Sequence, residues 1–142
     1  MTINHVFVMV SSARMQAMRT FYGKALKPIG YTEMIVVNDS YIGYGSDYPY
    51  LWLKALPEGK TSVGTHIAID APGMINFRLT NVHILIKIEN KSIDQFFKLA
   101  IEAGAKDNGP PGIRSEMSRQ PYYSAFVIDP DGNNLEAVCV EK

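Results

Sequence analysis

The chain is poor in the residues that build the commoner metal and disulfide frameworks. Of its 142 residues one is cysteine, Cys139. That excludes an internal disulfide and any cysteine-based zinc cluster, and Cys139 reads as a small apolar residue of the last strand. Net charge is also missing: 14 basic residues balance 14 acidic ones, and no Lys/Arg block stands out. Phosphate backbones need clustered positive charge, so nucleic acid is not an expected partner. No run of about 18 apolar residues exists, so a membrane span is not expected. The apolar stretch after Met1 is broken by Asn4 and His5, which does not read as a secretory leader. The expectation is a cytoplasmic, reducing environment. What remains is 46% hydrophobic and 20% charged, the balance of a globular domain with a real core.

The hydrophobic pattern divides into two similar halves. His5, Phe7 and Met9 alternate with Val6, Val8 and Val10, the pattern of a strand buried on both faces. Ser11 and Ser12 offer N-caps to a helix carrying Met15, Met18, Tyr22 and Leu26, which Pro28 and Gly30 end. Strands over about 31–37, 40–45 and 49–54 follow. The second half starts with a strand over about 64–70. A helix over about 92–103 opens on Ser92 with Gln95 three residues on, a capping-box pattern, and stops at Gly104. Gly109-Pro110-Pro111-Gly112 reads as loop, and Tyr122 to Asp129 and Asn134 to Val140 read as strands. An offset of 84 residues lays Asp47 on Asp131 and Trp52 on Glu136, a faint internal echo.

One stretch breaks the plan. Residues 73–90 are too long for a strand-to-helix loop. Val82 to Ile88 is itself strand-like, and His83 starts an apolar run much as His66 does. Either histidine's strand could therefore feed the second helix.

Three side chains invite a chemical reading. His5 and His66 head strand-like runs, and Glu136 follows the tight turn Asp129-Pro130-Asp131-Gly132-Asn133. Two imidazoles and a carboxylate can form a three-ligand site with open positions. Each has a blander reading as a core or surface residue of its strand. Tyr122 and Tyr123 open a strand, and alternation sends one of them inward, where its hydroxyl could donate or act as an acid; closing the core is the plainer role. Arg114 and Arg119 flank a loop and could meet an anionic substrate, or simply stand solvated. Asp129 and Asp131 look like turn formers. Phe21, Tyr22, Phe96 and Phe97 look like packing between helix and sheet.

In order, these segments resemble the vicinal oxygen chelate superfamily, which includes glyoxalase I, bleomycin-resistance proteins, fosfomycin-resistance enzymes and extradiol ring-cleaving dioxygenases. The resemblance rests on five stretches: His5-Val6-Phe7-Val8 with Phe21-Tyr22; Gly64-Thr65-His66-Ile67-Ala68; Asp107-Asn108-Gly109-Pro110-Pro111-Gly112; Tyr122-Tyr123-Ser124-Ala125-Phe126; and Asp129-Pro130-Asp131-Gly132-Asn133-Asn134-Leu135-Glu136. It implies an α+β fold: two βαβββ modules forming a curled mixed half-barrel sheet with the helices outside. One domain is expected, with module one over about 1–58 and module two over about 62–142.

By position the resemblance makes His5, His66 and Glu136 ligands of one divalent ion: Fe2+, Mn2+, Ni2+ or Zn2+. The fourth position falls near Trp52, which cannot ligate as a carboxylate would and could form an apolar wall there; Trp52 and Arg114 are the expected substrate-pocket residues. The set resembles that of the ring-cleaving dioxygenases more than that of glyoxalase I. The activity implied is lyase, isomerase or dioxygenase chemistry on a small substrate with adjacent oxygens. The alternatives are a metal-free binding protein of the bleomycin-resistance type and a paralogue whose site the 73–90 segment disrupts. Removing residues 73–89 restores the family spacing, so the segment reads as an insertion, such as a retained intron. A homodimer is expected on the resemblance alone.

Overall fold

The computed structural model describes residues 3–73, 76–81, 84–116 and 120–140, with 76–81 and 84–89 described through their backbone. Strand β1 (Val6–Val10) leads through a 3-10 turn into helix α1 (Met15–Ala25). Strands β2 (Thr32–Asn38), β3 (Tyr41–Gly45) and β4 (Pro49–Ala55) follow. Strand β5 (His66–Asp70) then precedes a hairpin of β6 (Asn76–Asn81) and β7 (Ile84–Glu89), helix α2 (Lys91–Glu102), and strands β8 (Lys106–Arg114), β9 (Tyr122–Ile128) and β10 (Asn134–Val140).

The two four-stranded sheets have the same topology, β1-β4-β3-β2 and β5-β10-β9-β8. In each, the first strand runs parallel to the last while the other pairs are antiparallel. The expected βαβββ plan is therefore present twice, in open mixed sheets.

Alternation explains the core. Val8, Val10, Leu51, Leu53, Ile42 and Tyr44 of the first sheet face the helices and are buried. Tyr123, Ala125, Val127, Leu135 and Ala137 do the same in the second. From the helices come Met18, Phe21, Tyr22, Ile93, Phe96 and Ala100, joining both halves in one apolar cluster. Burying side chains of this size is worth about 1.5–3 kcal/mol each. The aromatic residues of both helices are packing residues, as their spacing predicts.

The extra segment folds as a hairpin with its own two-stranded ladder, Asn76↔Glu89 to Asn81↔Ile84. It leaves β5 in place: His66 to Asp70 pair with Asn134 to Val138 of β10. The strand of His66 thus fills the leading position of module two. His83 lies outside the described residues, as does Arg119.

Two expectations need correction. Gly109-Pro110-Pro111-Gly112 is not a loop but the middle of β8. The prolines are tolerated because β8 is an edge strand, and the register shifts between Gly109 and Gly112 absorb the missing donors. Helix α2 is capped by Asn90, not Ser92: the Asn90 carboxamide oxygen accepts from the backbone N–H groups of Ser92 and Ile93.

The modules are tied together by a buried carboxylate. Asp129, 3% exposed, accepts from the Tyr22 hydroxyl at 2.8 Å, from the backbone N–H groups of Asp131 and Asn133, and from the Asn133 side-chain amide. Asp131 accepts the backbone N–H of Ser11 and pairs with Arg14 at 2.9 Å. The Pro-Asp-Gly-Asn turn is thereby locked against the start of α1, and with it the entry angle of β10.

Candidate functional site

The register of β10 decides which side chains share a face. Glu136 lies opposite Phe126 of β9 and beside Ala68 of β5, and Asn134 beside His66. Side chains alternate along each strand, so His66, Asn134, Glu136, Tyr122, Ser124 and Phe126 all project from the sheet face away from the helices. Arg114 of β8 joins them opposite Tyr122.

On that face His66 Nε2 stands 3.1 Å from Glu136 Oε2. The Glu136 side chain is 8% exposed and that of His66 51%, so the carboxylate is the buried member. A carboxylate this deep is costly to keep charged without partners, and the imidazole supplies one. Asn134 Nδ2 lies 3.3 Å from His66 Nδ1, and Asn108 Nδ2 donates to Asn134 Oδ1 at 3.2 Å. An amide N–H can only donate, so the Asn134 contact suits the tautomer in which Nδ1 accepts and the Nε2 hydrogen faces Glu136. The Phe126 ring meets His66 edge-to-face at 6.2 Å and shields the pair on one side.

Tyr122 is buried, and that burial raises its pKa above the ordinary phenol value. The Glu136 charge adds to the rise while Arg114 opposes it. At neutral pH its hydroxyl is therefore a donor, not a phenolate. Arg114 lies over the Phe126 ring at 5.7 Å and donates through Nη2 to the Pro110 carbonyl. These residues border a cavity of about 420 Å3 lined by Asn108, Arg114, Glu116, Tyr122 and Phe126. Ser124 is fully buried in the same row, and its Oγ has no hydrogen-bond partner among the described residues.

Tyr123 does not belong to this site. It faces the helices, and its hydroxyl donates to Asp94 of α2 at 2.8 Å. Adjacent residues on a strand point to opposite faces, so only one tyrosine of the pair reaches the cavity.

His5 and Trp52 lie on the other sheet. His5 is exposed, its Nδ1 2.8 Å from the Asn4 carboxamide oxygen and its ring edge-on to Phe7. It stands at a cavity of about 450 Å3 between β1 and β5, with Tyr31, Tyr50 and Asp70. Trp52 sits beside Phe7, ring centroids 6.3 Å apart, and donates through Nε1 to the Pro49 carbonyl. Phe7, Tyr41 and Trp52 make an aromatic surface with the Lys54 ammonium over Phe7 and Tyr41. Trp52 therefore stands on the first sheet, while Arg114 lines the cavity of the second.

One chain therefore gathers two of the three expected donors. Among the described residues no group of three His, Cys, Asp or Glu side chains converges. His66 and Glu136 offer an imidazole nitrogen and a carboxylate oxygen close enough to share one ion, while His5 is apart from them. Asn134 and Phe126 carry no site signal of their own in the sequence. Asn134 is two residues before Glu136 on one strand, and that spacing alone places both on one face.

Comparison of the whole chain with solved structures fixes the architecture. A glyoxalase/bleomycin resistance protein from Albidiferax ferrireducens superimposes with a TM-score of 0.74 at 22% identity, covering 96% of this chain and 98% of that one. The chain has the vicinal-oxygen-chelate fold. A glyoxalase/bleomycin resistance protein/dioxygenase family enzyme from Burkholderia phytofirmans shares that fold at a TM-score of 0.59 and 15% identity, covering 99% of this chain and all 100% of its own. Lactoylglutathione lyase from Agrobacterium tumefaciens does so at 0.58 and 12%, covering 96% of this chain and 92% of its own. No family model and no curated protein sequence matches. At these identities the shared property is the vicinal-oxygen-chelate fold, a scaffold with both metal-dependent and non-catalytic members. No helix among the described residues is long and apolar enough to cross a membrane.

Proposed function

We propose that this protein is a metal-dependent enzyme acting on a small molecule with adjacent oxygens, of lyase, isomerase or dioxygenase type. The observation that carries the proposal is the buried Glu136 held 3.1 Å from His66 on an open sheet face beside a cavity. His66 and Glu136 would hold one divalent ion: Fe2+, Mn2+, Ni2+ or Zn2+. His5 of a second copy would complete the two-histidine, one-carboxylate set in a homodimer. When bound, such an ion supplies Lewis acidity that draws charge from the substrate oxygens.

The chain's own residues do the rest. Asn134 holds the His66 ring against rotation through Nδ1. Tyr122, kept protonated by burial and by Glu136, donates a hydrogen bond to a substrate oxygen. Phe126 excludes water from one side of the His66–Glu136 pair.

A second reading has an observation of its own. Phe7, 42% exposed, with Tyr41 and Trp52 presents an aromatic face that a metal-free binding protein would use to stack a planar ligand.

Elemental mass spectrometry of the purified, reconstituted protein and its Glu136→Ala variant separates the two. Near-stoichiometric metal in the parent and none in the variant supports the enzyme reading. No metal in either overturns it in favour of the binding protein.

A further inference from the structure

Strand β8 is built around one side chain. Between Gly109 and Gly112 the pairing with β9 shifts register, so two glycines stand opposite Phe126 and Ser124. A Cβ on Gly109 would come within 3.3 Å of Arg114 Nη2 and 3.0 Å of the Phe126 ring. A Cβ on Gly112 would lie 3.5 Å from Arg114 Nη1. The Arg114 side chain folds back along the sheet over Gly109, where a Cβ would crowd both its guanidinium and the Phe126 ring; at Gly112 a Cβ would make ordinary contact. The Pro110 carbonyl holds its Nη2, and the Phe126 ring supports the guanidinium face.

The guanidinium of Arg114 lies against an aromatic ring at a cavity. Among the described residues no carboxylate lies within ion-pair distance of it, although Glu116 lines the same cavity. One donor goes to Pro110, which leaves most of the planar fork for a ligand. One further donor lines the cavity from β9, the Tyr122 hydroxyl. Tyr122 pairs in register with Arg114.

We infer that Arg114, with the Tyr122 hydroxyl beside it, forms an oxyanion-binding subsite, and that the natural ligand is a small molecule carrying a carboxylate or similar oxyanion. A guanidinium fork matches the paired oxygens of such a group, and the hydroxyl satisfies a remaining lone pair. The negative charge of Glu136 keeps the anion at the β8 end of the cavity. The uncharged oxygens of the ligand are then turned toward His66 and Glu136. The subsite deepens the small-molecule reading above and rests on that reading only for where the rest of the ligand goes.

The test is ligand-observed NMR on the full chain in a metal chelator, so that no ion contributes. The probes are benzoate, phenylphosphonate and the neutral benzamide. Benzoate should bind, and benzamide should bind at least about tenfold more weakly, the loss expected for one charged hydrogen-bonded pair. Arg114→Ala should abolish the preference for the anion. Arg114→Lys, which keeps the charge and loses the fork, should weaken it. Lys98→Ala, on the exposed side of α2, should leave it unchanged. Tighter binding of phenylphosphonate than benzoate would assign the site to tetrahedral oxyanions and keep the subsite. Equal binding of benzamide and benzoate, anion binding that survives Arg114→Ala, or no anion binding at millimolar concentration would each overturn it. Because the measurement is metal-free, loss of the metal reading leaves its outcome intact.

Discussion

Trp52 and Glu136 hold the same place in the two halves of the molecule. Trp52 of β4 pairs in parallel register with Phe7, two residues after His5; Glu136 of β10 pairs with Ala68, two residues after His66. The two histidines are thus equivalent by position, and the residues facing them are an indole and a carboxylate. Each chain consequently has one imidazole–carboxylate pair and one imidazole beside an aromatic wall. A complete three-donor set requires the two unlike faces to meet.

The turn that aims β10 depends on Tyr22. Tyr22→Phe removes one of the donors to the buried Asp129 and leaves a charged oxygen short of a partner. The expected cost is about 1–3 kcal/mol, read as a lower urea midpoint at unchanged slope. An unchanged midpoint would show that the backbone N–H groups and Asn133 suffice.

The same tyrosine gives an alkaline signature. Burial, then the Asp129 charge and hydrogen bond, raise the Tyr22 pKa well above the ordinary phenol value; burial also raises that of Tyr44. Below about pH 10 both are protonated whether the chain is folded or not, so their contribution is intact. Above it the unfolded chain ionises first, and stability falls as pH rises. Thermal melts from pH 8 to 11 should show this decline, and Tyr22→Phe should flatten it. A variant that declines as steeply as the parent would contradict this assignment.

Gly64 sets the distance between β5 and the turn. A Cβ there would collide with the Gly132 carbonyl oxygen. Next to it the Thr65 N–H donates to Asn133 Oδ1, and the Asn134 N–H donates to the Thr65 carbonyl. Gly64→Ala should destabilise by about 1–3 kcal/mol, as overpacking does, and should displace His66 from Glu136. Retention of full stability would mean that the turn yields without cost.

Much of this was legible from the pattern of the chain. The alternation of His5 to Val10 and the helical spacing of Met15 to Leu26 specify their elements, because a burial period is a direct consequence of geometry. Strand β8 was not legible. Pro110 and Pro111 signal a loop wherever a strand needs donors on both sides, and only the edge position of β8 removes that need. Asn90 as the cap of α2 is masked in the sequence by Ser92 and Gln95, which offer a complete local motif two residues on. The fold-back of Arg114 over Gly109 depends on which residue of β9 faces that glycine, a register that no local signal contains. The separation of His5 from Glu136 depends on how two open sheets are disposed, which strand patterns do not encode.

The hairpin of β6 and β7 is an accessory. It pairs only with itself among the described sheets and leaves the β5–β10 ladder unbroken. Deleting residues 74–89 while keeping Asn90 should give a folded protein with the parent's near-ultraviolet dichroism. Loss of that signal would show that the hairpin is required for the core.

In the proposed dimer, His5 of one copy meets His66 and Glu136 of another. Mixing decides it. His5→Ala and Glu136→Ala proteins, each metal-free, are unfolded together, refolded in equal amounts and loaded with Zn2+. Random pairing makes half of the dimers mixed, each with one intact site. About a quarter of the parent's metal content should therefore return, in a species of dimer mass by sedimentation. No metal in the mixed sample, with full metal in the parent treated the same way, would contradict it.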